Sequence, residues 1–155
     1  MGLLDPRFLA GLPTVTALPS SPATGYVCWL STADSTAKAP PGVYLYDGTG
    51  WLCLQCNAVY DLGSTGATPS HTLIAGARYK ATQSAAVTTW TVSISRPGIV
   101  YLTLAGAYSL QSPTMTSRTA KALGDAAWDD AAVALKKVAL EDDGTYLIYI
   151  CSEMS

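Results

Sequence analysis

Residues 42 to 56 read GVYLYDGTGWLCLQC, two runs of strand-like periodicity separated by Asp47-Gly48-Thr49-Gly50. Asp tolerates positive φ and Gly accepts it freely, so Asp47-Gly48 predicts a tight type I′ hairpin turn. Val43, Leu45, Leu52 and Leu54 then share one face, and Tyr44, Tyr46, Trp51 and Cys53 share the other. Both faces are bulky. A two-stranded unit of this size cannot bury both by itself, so the pattern predicts that at least one face meets a partner.

The rest of the chain from Gly25 onward reads in the same way. GYVCWLS precedes the hairpin, and HTLIAGARYKAT, TTWTVSIS, GIVYLTLAGAYSL and GTYLIYICSE follow it, each of strand length and rich in Val, Ile, Thr, Tyr or Trp. Arg96-Pro97-Gly98 and Asp143-Gly144 supply turn chemistry between them. The fold class expected is mainly all-β, a small β-hairpin module over residues 24–66 followed by a β-sandwich or jelly-roll-like domain over 67–155. The boundary falls in the Gly/Ser/Thr-rich passage 57–71. One segment dissents: Trp128, Ala132, Leu135 and Ala139 recur at helical spacing behind Asp125, predicting a short helix near 126–138. A strand pair over AAVALKKVAL competes with it, because Ala and Val do not decide between the two. No internal repeat of fixed period is visible.

Residues 1–23 carry Pro6, Pro13, Pro19 and Pro22 between apolar Leu3, Leu4, Phe8, Leu9 and Leu12. Proline at that spacing forbids a long helix, so an extended arm is expected, lying on the chain's own body or on a neighbouring subunit. Only 13% of residues are charged, against roughly 25% in ordinary domains, and nine Tyr and four Trp stand against a single Phe. Such a surface favours association, and Tyr and Trp suit interfaces with one dry and one wet end. The net charge is −2 and the nine Lys and Arg are scattered, which argues against nucleic acid. No apolar run approaches the roughly 20 residues of a membrane helix. Asp5 and Pro6 stand where a signal peptide needs its apolar core, so neither membrane insertion nor classical secretion is expected.

Chemistry-bearing residues are few. Cys53-Leu54-Gln55-Cys56 has C-x-x-C spacing, but redox pairs of that kind begin a helix, and this one follows a hairpin. Zinc needs four ligands, and Cys28, Cys151 and His71 supply no second close pair. In a regular strand Cys53 and Cys56 point to opposite faces, which disfavours a shared metal and a mutual disulfide alike, so all four cysteines read as small buried hydrophobes. His71 reads as a surface or strand-edge residue, since no G-x-S-x-G nucleophile accompanies it. Asp129-Asp130 and Glu141-Asp142-Asp143 read as helix and turn charges. No enzyme, cofactor or metal site is expected.

The segment TALPSSPATGYVCWLSTADSTAKAPPGVYLYDGTGWLCL, residues 16 to 54, resembles a small β unit of bacteriophage virion proteins, notably head and tail fibres and capsid decoration proteins. The matching residues are Leu18, Pro19, Gly25, Tyr44, Tyr46, Asp47, Gly48, Thr49 and Trp51. The resemblance covers about a quarter of the chain and implies a homotrimer with these units packed about a threefold axis. Cys28, Cys53 and Cys56 depart from the pattern. A 155-residue chain with no long shaft suits a capsid decoration, or cement, protein that binds across neighbouring copies of the major capsid protein. A short fibre or receptor-binding protein is the alternative, and a carbohydrate-binding sandwich the next. The expected location is the virion, assembled in the host cytoplasm. The expected interface is Leu3, Leu4, Phe8, Leu9, Leu12, Tyr44, Tyr46 and Trp51.

Overall fold

A computed structural model describes residues 10–122 and 135–154. Strands β1 (Thr14–Val15), β2 (Val27–Leu30), β3 (Gly42–Tyr46) and β4 (Trp51–Cys56) form a sheet in that order. β1 runs parallel to β2, and the other pairs are antiparallel. The expected hairpin is β3–β4, with Tyr46 opposite Trp51 and Leu45 opposite Leu52. Its turn differs from type I′: four residues, 47–50, lie between the paired ends, and of Asp47 and Gly48 only Gly48 has positive φ, at 97°. The Asp47 carboxylate takes over the loop's amides, so Asp47 itself need not enter the left-handed region.

The second half of the arm lies on the chain's own body. Trp29 N donates to Pro13 O and Ser31 N to Val15 O, each at 2.9 Å, and Val15 and Leu18 pack against the core. Leu12 is half-buried. Leu3, Leu4, Phe8 and Leu9 lie outside the described residues.

Beyond the hairpin the chain winds. Strands β5 (Tyr60–Thr65), β7 (Arg78–Gln83) and β9 (Gly98–Ala105) stack in parallel in one sheet. Strands β6 (Ser70–Leu73), β8 (Trp90–Ile94) and β10 (Pro113–Thr114) stack in parallel in another. The chain alternates between the two sheets, so each turn sets a residue beside one further along: Tyr60 by Tyr79, Ser70 by Thr91, Arg78 by Tyr101, Trp90 by Pro113. Parallel neighbours need a crossover, and here the crossover is a strand of the facing sheet. Strict alternation supplies the interior: Tyr79, Ala81 and Gln83 of β7 are buried while Arg78, Lys80 and Thr82 are exposed. The winding closes on an antiparallel end, where β12 (Leu135–Asp142) pairs with β9 and β13 (Tyr146–Met154) pairs with β12. Strand β11 (Thr119–Ala122) lies parallel to β13 at the edge of this six-stranded sheet.

The all-β expectation holds, with two sheets facing across one core as in a sandwich. Residues 60–114 nevertheless lack the antiparallel Greek-key pairing of a jelly roll. Two local expectations are corrected. Passage 57–71 is not all loop, since Tyr60–Thr65 is β5 and Ser70 begins β6. The helix expected over 126–138 is strand from Leu135 onward, because Val138 and Leu140 alternate inward on a strand hydrogen-bonded along both edges. Residues 126–134 lie outside the described residues. Part of the hairpin is covered by its own chain: Val43 and Tyr44 are fully buried, while Leu45, Tyr46, Trp51 and Leu52 are half-buried. One cluster joins Cys28, Leu30, Tyr44 and Cys53 to Leu73, Tyr79, Trp90, Leu102 and Leu140.

Candidate functional site

The hairpin turn is tied down by one carboxylate. Asp47 accepts hydrogen bonds from Thr49 N at 2.9 Å, Gly50 N at 3.0 Å and Thr49 Oγ1 at 2.8 Å. Arg96 Nη1 closes an ion pair with it at 2.7 Å. The backbone amides of Gly50 and Thr49, ahead of the guanidinium, hold the Asp47 carboxyl down at about 2. Behind the turn, Trp51 is ringed by Tyr26, Tyr44 and Tyr46 at centroid distances of 6.3, 6.4 and 5.3 Å, the first two edge-on.

The predicted interface residues separate here. Tyr44 is sealed in the core with its hydroxyl donating to Pro40 O at 2.6 Å, whereas Tyr46 and Trp51 are half-buried. Tyr46 and Trp51 line a depression of about 550 Å³ whose other wall is Leu18 and Pro19 of the arm and whose base includes Asp34 and Ser95. Asp34 was not singled out by sequence. Its buried carboxylate accepts from Leu18 N at 2.8 Å, Thr36 N at 2.9 Å and Ala37 N at 3.0 Å, fixing the arm to the loop after β2. The run Asp34-Ser35-Thr36 in a Pro-bounded loop was the available signal for such a turn.

Cys53 and Cys56 form a disulfide, contrary to the expectation from strand alternation. The reason is a register shift: Val43 pairs with Gln55 but Tyr44 with Cys53, leaving Leu54 as an extra residue. One bulged residue reverses the alternation, so two cysteines an odd distance apart reach the same side. Cys28 is a free, buried thiol pushed up to about 11 by burial, which makes it unreactive. The disulfide closes so small a loop that chain entropy assigns it only about 2 kcal/mol. Reduction, or Cys53→Ser with Cys56→Ser, is therefore expected to lower the urea midpoint modestly without unfolding the protein. Loss of the folded state on reduction would show that the bond holds more than its own loop.

His71 sits on β6, an edge strand as expected, but its side chain points inward and is 8% exposed. Neither ring nitrogen has a hydrogen-bond partner among the described residues. Burial, and secondarily the Lys38 charge, lowers its affinity for a proton. A folded-state value below the unfolded 6.5 means stability is full above that pH and is lost as pH falls toward the folded value. Asp47, Asp61 and Asp143 are held low mainly by backbone amides and act only below about pH 4. Denaturation midpoints for wild type should thus begin to fall below about pH 6.5, and His71→Leu should remove the part between 6.5 and 4. The same variant should be about 1 kcal/mol more stable at pH 7.5, since it replaces two unpaired buried nitrogens by hydrocarbon.

The carboxylate clusters serve turns. Asp142 is buried against Arg118, 2.6 Å from Nε, and accepts from Gly144 N at 2.9 Å. Asp143 accepts from Thr145 N and Tyr146 N at 2.7 and 2.6 Å. Asp129 and Asp130 lie outside the described residues. Among the described residues, no three His, Cys, Asp or Glu side chains gather as a metal site. Comparison of the chain with protein-family models, curated proteins and solved structures found no match.

Proposed function

We propose that the protein is a bacteriophage virion structural protein, a decoration protein that stabilises the head by binding across neighbouring capsid subunits. The observation that carries the proposal is how its chemistry-bearing residues are used. Asp47 and Asp34 cap backbone, Cys53 and Cys56 cross-link a bulge, and Asp142 and Asp143 hold a turn. The Tyr-Asp-Gly-Thr-x-Trp segment, which carries the resemblance to virion proteins, is a stiff packing unit. Beside it Tyr46, Trp51, Leu18 and Pro19 leave a half-open apolar depression for a segment of a neighbouring subunit.

The test is the number of copies per particle, measured by quantitative mass spectrometry of purified virions. Hundreds of copies are expected, and a handful would support the fibre reading instead. The arm's share is tested by removing residues 1–12, which spares β1 and the Leu18–Asp34 bond. The truncated protein should keep its denaturation midpoint and lose most binding to particles stripped of the native copy. Undiminished binding would remove the arm from the mechanism.

A further inference from the structure

The outer face of the six-stranded sheet has a feature that the proposed role does not use. Tyr101 on β9 is 51% exposed, although it lies in the middle of a sheet and is flanked on both sides by paired strands. Its cross-strand neighbours are Arg78 on β7 and Ala139 on β12, and two positions along β9 Thr103 stands between Lys80 on β7 and Lys137 on β12. Small side chains at Ala139 and Thr103 lower the surface between three long ones. The result is a depression of about 400 Å³, walled by Arg78, Tyr101 and Lys137.

Its chemistry is a ring face with the Arg78 guanidinium at the rim. Arg78 has no ion pair among the described residues, whereas Lys80, the next outward residue on β7, is joined to Asp61 at 3.1 Å. Arg78, Tyr101 and Ala139 form one row across the three strands, with Lys80, Thr103 and Lys137 in the row on one side and Glu141 in the row on the other. Both β9 and β12 are hydrogen-bonded to neighbours along each edge. An extended peptide therefore cannot add as a strand here, and recognition must come from side chains. The volume suits a ligand of one or two rings.

We propose that this depression binds a carboxylated sugar. The tyrosine ring packs against the apolar face of the sugar, the guanidinium of Arg78 takes the carboxylate, and the Thr103 hydroxyl meets a ring hydroxyl. The site is independent of the hairpin depression and does not require capsid binding.

The test is titration of the full-length protein by calorimetry and by amide chemical shifts with three probes: trigalacturonate, neutral maltotriose and a triglutamate peptide. Trigalacturonate alone is expected to bind, with shifts centred on residues 78, 101, 103, 137 and 139. Arg78→Ala and Tyr101→Ala should each weaken it roughly tenfold or more, and Lys80→Ala should leave it unchanged. These side chains are exposed, so thermal midpoints verify that the variants are folded. No binding of trigalacturonate, equal binding of triglutamate, or an equal loss in Lys80→Ala would overturn the proposal, the last two by reducing it to unspecific charge.

Discussion

Gly76→Ala is expected to destabilise the protein by at least about 3 kcal/mol, the largest effect of any single methyl group considered. Gly76 sits at a corner of the winding where three stretches of chain stack. Cys53 N donates to Ala75 O at 2.8 Å and Gly76 N to Ile99 O at 2.6 Å, so β4, the corner and β9 are bonded in succession. Its φ is +82°, and a Cβ there would overlap the carbonyl oxygen of Cys53, a backbone atom that cannot swing aside. Gly144 supplies the control: φ is +93° and nothing stands within 4 Å of its Cβ position. Gly144→Ala should cost only about 1 kcal/mol, the conformational part alone. The difference between the two urea midpoints measures the collision. Equal midpoints would mean that β4 and the corner can separate without loss.

That corner also explains what could and could not be read from sequence. The β3–β4 hairpin was legible because its signal is local, Asp47-Gly48 between alternating runs. The winding was not legible. Inward residues alternate with a period of two whether neighbouring strands are parallel or antiparallel, as Tyr79, Ala81 and Gln83 do. The repeat that would reveal it is uneven, since Tyr60 meets Tyr79 nineteen positions on while Arg78 meets Tyr101 twenty-three on. The stretch from Leu135 reads as helix or strand in sequence because Ala, Leu and Lys suit a helix, and pairing with β9 and β13 decides for the strand. The disulfide is not legible in the sequence because a single bulge at Leu54 is invisible to a parity argument.

The site was half legible for the same reason. Tyr46 and Trp51 emerge from the hairpin, and both do line the depression beside it. Its far wall depends on Asp34, whose partner Leu18 is sixteen residues away. The Arg78–Tyr101–Lys137 arrangement depends on three strands whose adjacency only the winding creates.

Asp34→Ala is expected to cost about 2–4 kcal/mol, because three backbone donors lose a charged acceptor in a buried place. Asp34→Asn separates the two halves of that effect. Oδ1 serves Thr36 N and Ala37 N, whereas Oδ2 serves Leu18 N alone. An asparagine that keeps its oxygen on the loop turns an amide donor toward the Leu18 donor. The loop stays and the arm is repelled. Hydrogen exchange reports this directly, since Trp29 N and Ser31 N are the amides that bond to Pro13 O and Val15 O of the arm. In Asp34→Asn these two should exchange at least about tenfold faster, while amides of β8 and β9 keep their wild-type protection. Uniform loss of protection would mean that the arm is an inseparable part of the core. A selective loss would make Asp34 the root that sets where the arm leaves the body. If the arm bridges capsid subunits, the same substitution should weaken particle binding without unfolding the protein.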